Sequence, residues 1–89
     1  MGKKKWSFAV IFDKVSDIIA EKNNIEKNEI ELESNLINDL SFDSLDTAEI
    51  LMEIEKEFGI NFDKGIYSAE LNDVRIVEDL VNLIYKMVN

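Results

Sequence analysis

The sequence predicts an all-α fold, a small irregular four-helix bundle with three main helices, one short helix and a long loop between the first two. Two observations carry most of this. Phe8, Ile11, Phe12, Val15, Ile18 and Ile19 recur at i, i+3, i+4, i+7, i+10 and i+11, and Val77, Leu80, Val81, Ile84, Met87 and Val88 repeat that spacing. Each set makes one apolar stripe with polar residues elsewhere, the mark of an amphipathic helix. The third observation is a segment bounded at both ends: Asp43 or Ser44 can cap the start of a helix over Ser44 to Phe58, and Gly59 follows where a left-handed residue ends one.

Taken in order, residues 1–6 read as a flexible N-terminal extension and 1–89 as a single domain. Lys3, Lys4 and Lys5 before the apolar stretch Trp6 to Phe12 imitate a signal peptide. Asp13 and Lys14 stand where a small-residue cleavage site belongs, so a cytoplasmic protein is expected. Trp6 likewise breaks the myristoylation pattern. The first helix should stop near Lys22, because Asn23-Asn24 favours an end. From Asn23 to Asp43 no helical period is sustained. Ile25, Ile30, Leu32, Leu36, Ile37 and Leu40 along it suggest a loop pinned to the core, and loops of that length are often functional. After Phe58 there is room for one or two helical turns between Tyr67 and Asn72. The last helix then runs close to the C-terminus.

Composition narrows the function. The chain has 89 residues, 46% of them hydrophobic, enough for one thin core. It has no cysteine and no histidine, which removes thiol nucleophiles, thiolate zinc sites and the usual general base. No apolar run approaches the roughly 20 residues of a membrane span. The net charge of −9 repels nucleic acid and anionic lipid and favours basic partners. Most of it sits in residues 28–63, where eleven acids face Lys56 alone.

The central helix carries two apolar faces. At about 100° per residue, Ile50, Leu51, Ile54 and Phe58 fall on one side and Leu45, Ala48 and Met52 nearly opposite. A helix at the edge of a small bundle buries only one of these, and the larger set should win. Asp46, Glu49, Glu53 and Glu57 flank the smaller stripe on one side and Glu55 on the other, which leaves an exposed apolar strip with an acidic rim, the anatomy of a docking surface. A helix buried on both faces is the plain alternative. The acids destabilise the helix: Glu49–Glu53, Glu53–Glu57 and Asp46–Glu49 are like-charged neighbours at about 0.2–0.5 kcal/mol each.

Ser44, where the loop meets this helix, is the candidate site. As a nucleophile of its own it is poor, since no histidine is present and Lys56 lies three turns away. The plain alternative is an N-cap serine. A calcium loop over Asp39, Ser41 and Asp43 fails, because its sixth position is Ser44 and its twelfth Ile50. No metal site is assigned, although loose divalent binding among Asp39, Asp43, Asp46 and Glu49 stays open.

Asp43-Ser44-Leu45-Asp46-Thr47, followed by Glu49, Met52, Glu55, Glu57 and Phe58, resembles the acyl carrier protein family. Leu36-Ile37-Asn38-Asp39-Leu40 is similar to the family's segment before the motif, and Val77 to Ile84 to its last helix. The resemblance implies a non-catalytic protein. Its Ser44 hydroxyl, flanked by Asp43 and Leu45, receives 4′-phosphopantetheine from coenzyme A through a phosphopantetheinyl transferase, and the thiol of that arm holds acyl groups as thioesters. It implies that Leu45, Asp46, Ala48, Glu49, Met52, Glu53 and Glu55 dock acyl-transfer, condensing and modifying enzymes with basic patches, and that the protein is a monomer in fatty acid, polyketide or specialised synthesis. Such a site needs no internal base, and a helix N-terminus favours the phosphodiester by about 0.3–1 kcal/mol. Ser41 stands where the family usually has Gly, Lys56 where an acid is common, and Arg75-Ile76 where a Thr caps the last helix. An aminoacyl or peptidyl carrier, and an unmodified acidic helical adaptor, are the alternatives.

Overall fold

The computed structural model describes residues 6–62 and 73–89. Among these residues it contains three α-helices, α1 (Phe8–Asn23), α2 (Ser44–Phe58) and α3 (Val77–Val88), and a 3₁₀ turn at Lys27–Glu29. No strand occurs among the described residues; an isolated bridge pairs Asn35 with Ile76. The short helix expected between Tyr67 and Asn72 lies outside the described residues.

Each helix ends where its sequence supplies a terminator. The Ser7 hydroxyl accepts from the Val10 N–H at 3.1 Å and starts α1. Asn24 adopts φ 55°, ψ 46° and closes it. The helix therefore runs one residue past the expected Lys22, because Asn tolerates the left-handed region and serves as the cap itself. At α3, Ile76 stands at the cap without a side-chain oxygen. Asp79, three residues inside, supplies what is missing: its Oδ2 accepts from the N–H groups of Arg75 at 3.0 Å and Ile76 at 3.2 Å. Arg75-Ile76 thus starts the last helix without a capping Thr.

α1 packs against both α2 and α3. Its Ile11, Val15 and Ile19 are fully buried and meet Ile50, Ile54 and Phe58 of α2 and Val77, Leu80, Val81 and Ile84 of α3 in one core. Leu83 is also buried, although it falls outside the α3 stripe read from spacing. Each such aliphatic is worth about 1.5–3 kcal/mol of transfer free energy. Trp6, assigned to the N-terminal extension in the sequence, is half-buried and meets the Phe58 ring edge-on at 4.8 Å. Its carbonyl accepts from the Asn89 amide at 3.0 Å.

The segment between α1 and α2 is tied down largely by its own polar groups. Asp39 Oδ2 accepts from Asn35 N–H at 2.7 Å, and Asn35 Oδ1 accepts from Ile37 and Asn38. Leu36 donates to the Arg75 carbonyl, Val77 to Ser34 and Glu78 to Leu32, which stitches the loop to the start of α3. Ile30 and Leu40 are buried as expected, and so is Phe42, which spacing alone did not mark. Ile37 departs from its expected pinning role and is 68% exposed. Its neighbour Leu36 turns inward instead, and one residue's shift is enough to reverse the side a loop residue presents. Lys27, in the 3₁₀ turn, reaches back to α1 and pairs with Asp13 at 2.6 Å and Asp17 at 2.9 Å. The hydrogen bonds from Asp13 and then Asp17 hold its ammonium above the ordinary 10.5.

Candidate attachment and docking site

The site is built on the first turn of α2. Asp43 is the cap: its Oδ1 accepts from Asp46 N–H at 2.8 Å, and Asp46 Oδ2 reaches back to Asp43 N–H at a longer 3.4 Å. The Thr47 hydroxyl donates to the Asp43 carbonyl at 2.8 Å. Of the two residues that sequence offered as caps, the structure takes Asp43 and makes Ser44 the first residue of the helix. Ser44 therefore sits among the orphan N–H groups at the positive end of the helix dipole, a position that suits a phosphodiester. That is the fit between this backbone and the prosthetic group expected on it.

Ser41, three residues upstream, has φ 62°. Although Ser stands here where the family usually has Gly, the backbone adopts the left-handed conformation, at a cost of about 1–2 kcal/mol for a residue with a Cβ. Behind α2 and beside Ser41's loop opens a cleft of about 470 Å³. Leu36, Phe42, Ile50, Leu51, Val74 and Leu80 form its apolar walls, while Asn35, Asn38, Thr47 and Arg75 give it polar edges. Phe42 and Thr47, which line the cleft, bracket Ser44 in sequence.

The two faces of α2 separate as the spacing predicts. Ile50, Ile54 and Phe58 are buried, Ile54 completely, whereas Leu45 is 66% and Met52 59% exposed and Ala48 is exposed beside them. Leu51 is only half-buried, because it lies where the core face meets the cleft. The acids are not equivalent. Glu49 is exposed and joins Ile18, Glu21, Lys22 and Glu53 along a groove between α1 and α2. Glu53 lies 4.0 Å from Lys22 and 3.9 Å from Lys56, and Glu57 lies 3.1 Å from Lys14. Glu55 Oε2 accepts the Phe62 N–H at 2.9 Å, so it closes the turn after α2. Lys14 and Lys22 were invisible to a reading of α2 alone, because they come from α1. Loose divalent binding by Asp39, Asp43, Asp46 and Glu49 is not supported: Asp39 is engaged with the loop and Asp43 and Asp46 with each other. No group of three metal-ligating side chains occurs among the described residues. No described helix is long and apolar enough to cross a membrane.

A helical scaffold that offers a serine at an acid-flanked helix start is the arrangement expected of a carrier domain. Comparison with known proteins agrees. The family described as the phosphopantetheine attachment site matches residues 13–84. An acyl carrier protein of Thermotoga maritima is 40% identical over 76 residues, covering 85% of this chain and 89% of that protein. One from Clostridium acetobutylicum is 43% identical over 75 residues, covering 84% and 92%. One from Azobacteroides pseudotrichonymphae is 51% identical over 51 residues, spanning 57% of this chain and 60% of that protein. The chain belongs to the acyl carrier protein family, whose members are carriers rather than catalysts and bear phosphopantetheine.

Proposed function

We propose that Ser44 carries the 4′-phosphopantetheine, and that the protein, as one cytoplasmic carrier domain and a monomer, delivers acyl groups to the enzymes of fatty acid or a related polyketide or specialised synthesis. The observation that carries this is the position of Ser44 as the first residue of a capped helix, within Asp43-Ser44-Leu45. The terminal thiol of the arm supplies the thioester chemistry that this cysteine-free chain lacks. The four-helix form of the bundle belongs to the same reading.

The chain's own residues do the rest. Asp43 and Asp46 hold the helix start rigid and place negative charge beside the phosphodiester, which discourages it from folding onto the protein. Leu45, Ala48 and Met52 supply apolar contact to a phosphopantetheinyl transferase and to acyl-transfer, condensing and modifying enzymes. Asp46, Glu49, Glu53 and Glu55 give basic patches on those enzymes a complementary field, which acts chiefly on the association rate. Glu49 is the leading acid in this role, since lysines face Glu53 and the Phe62 amide engages Glu55. The cleft beside Thr47 offers an apolar resting place for the cargo.

Incubation with coenzyme A and a phosphopantetheinyl transferase, followed by intact mass and peptide mapping, tests the assignment. The added mass is expected on the peptide containing Ser44, and Ser44→Ala is expected to abolish it with the helical circular dichroism intact. A cofactor mapped to Ser7, Ser16, Ser34, Ser41 or Ser68 overturns it. No gain of mass leaves the unmodified adaptor. Loading by an amino-acid-activating enzyme in preference to an acyl-transfer enzyme identifies an aminoacyl carrier.

A further inference from the structure

The cleft of about 470 Å³ is walled by side chains from the loop, α2 and α3, and Phe42 is the only aromatic among its described lining residues. The helices contribute aliphatic walls, Ile50 from α2 and Leu80 from α3, both buried in the core. Phe42 is placed by its backbone. Its N–H donates to the Leu36 carbonyl at 2.9 Å, and Ser41 just before it holds φ 62°. Any residue except proline makes that hydrogen bond, so the loop does not require a phenylalanine. A left-handed serine persists only where the surrounding structure imposes it, which marks the placement of this segment as fixed. The ring is buried and yet lines the cleft, so it takes up volume that a smaller side chain would leave open. Packed surroundings close only partly around a deleted side chain. A seated acyl chain gains up to about fourfold in equilibrium with each methylene it buries, until it meets a wall. Phe42 is the bulkiest apolar side chain of that wall, and with Thr47 it brackets Ser44 in sequence.

We propose that Phe42 is a specificity-determining residue, which sets the longest acyl chain that this cleft seats. The proposal rests on the carrier reading of Ser44 and on the cleft as the seat of the cargo. It is tested on the full chain as wild type, Phe42→Ala, Phe42→Leu and Leu51→Phe, the last narrowing the α2 side of the same cleft. Each is loaded with butanoyl-, hexanoyl-, octanoyl-, decanoyl- or dodecanoyl-phosphopantetheine from the matching coenzyme A thioester. Intact mass establishes loading, and circular dichroism the helical fold. The readouts are the rate of thioester cleavage by hydroxylamine and the amide chemical shifts of Leu36 and Thr47. In wild type, cleavage is expected to slow as the chain lengthens and then to level. Phe42→Ala should level at chains roughly two to four carbons longer, the room a deleted ring leaves in a partly relaxed site. Its longest chain should be cleaved roughly two- to fivefold more slowly than in wild type, the worth of about one further buried methylene. Phe42→Leu should fall between, and it carries the comparison where Phe42→Ala does not fold. Leu51→Phe should level at shorter chains. A Phe42 that serves the core alone changes the stability of every form without moving that length. The same levelling length in wild type and the folded Phe42 variants therefore overturns the role of Phe42 and leaves the carrier reading intact. Cleavage independent of chain length in all four proteins overturns the cleft as the seat, and the proposal with it. Failure to load at Ser44 overturns the carrier reading as well.

Discussion

Single backbone positions at the two ends of α2 carry measurable free energy. Ser41 at φ 62° and Gly59 at φ 68° occupy the same left-handed region, one with a Cβ and one without. A Cβ built on Gly59 meets nothing within 4 Å, so the penalty for a side chain there is conformational and not steric crowding from neighbours. Gly59→Ala is therefore expected to destabilise by about 1 kcal/mol, and Ser41→Gly to stabilise by up to about 1 kcal/mol after the extra freedom glycine has in the unfolded chain is subtracted. Urea denaturation of both variants checks the pair, and a loss of stability in Ser41→Gly contradicts the strain assigned there. Gly59 was legible in the sequence because glycine after an apolar helix end is a direct signal. That Ser41 would keep the glycine conformation was not legible, since serine has no preference for it and only the surrounding fold, with Phe42 N–H bonded to the Leu36 carbonyl, imposes it.

Among the elements, α2 is the one whose sequence is most explicit about its structure. Its bounds, a cap at Asp43 or Ser44 and its two opposed faces follow from spacing and cap chemistry, because both are local to the helix, and the structure selects Asp43. What spacing did not reveal is what other elements bring to it. Lys14 and Lys22 from α1 face Glu57 and Glu53, and the Phe62 amide occupies Glu55, so the acidic rim is less uniform than its residue list implies. The 3₁₀ turn at Lys27–Glu29 escaped for a different reason: three residues hold less than one repeat of any period. The two faces of α2 give a direct comparison. Ile54 is fully buried, so Ile54→Ala is expected to cost about 2–5 kcal/mol. Met52 is 59% exposed, so Met52→Ala should stay within about 0.5 kcal/mol. Chemical denaturation of the two variants decides it, and equal losses would mean that the exposed strip is core.

At the scale of the whole molecule, charge dominates. Nineteen acids against ten bases leave −9 on a small bundle, and self-repulsion at neutral pH opposes the compact state. The sequence placed most of this charge in the middle third, and the structure adds that those acids are dispersed: Asp39 ties the loop, Asp43 and Asp46 cap α2, and Glu53 and Glu57 face lysines across α1. The lysines on α1 therefore relieve part of the repulsion, although exposed pairs of this kind contribute only about 0.2–1 kcal/mol each. Dispersed acids attract counterions by valence, whereas a chelating site selects an ion by size and coordination number. Millimolar magnesium and calcium are accordingly expected to raise the melting temperature by similar amounts. Both should act more strongly than monovalent salt at the same concentration, because a divalent ion neutralises more of the −9 field per ion. The measurement is thermal unfolding followed by circular dichroism at neutral pH across the three salts. Calcium stabilising far more than magnesium would require a formed site, and would contradict the scattered placement of Asp39, Asp43, Asp46 and Glu49.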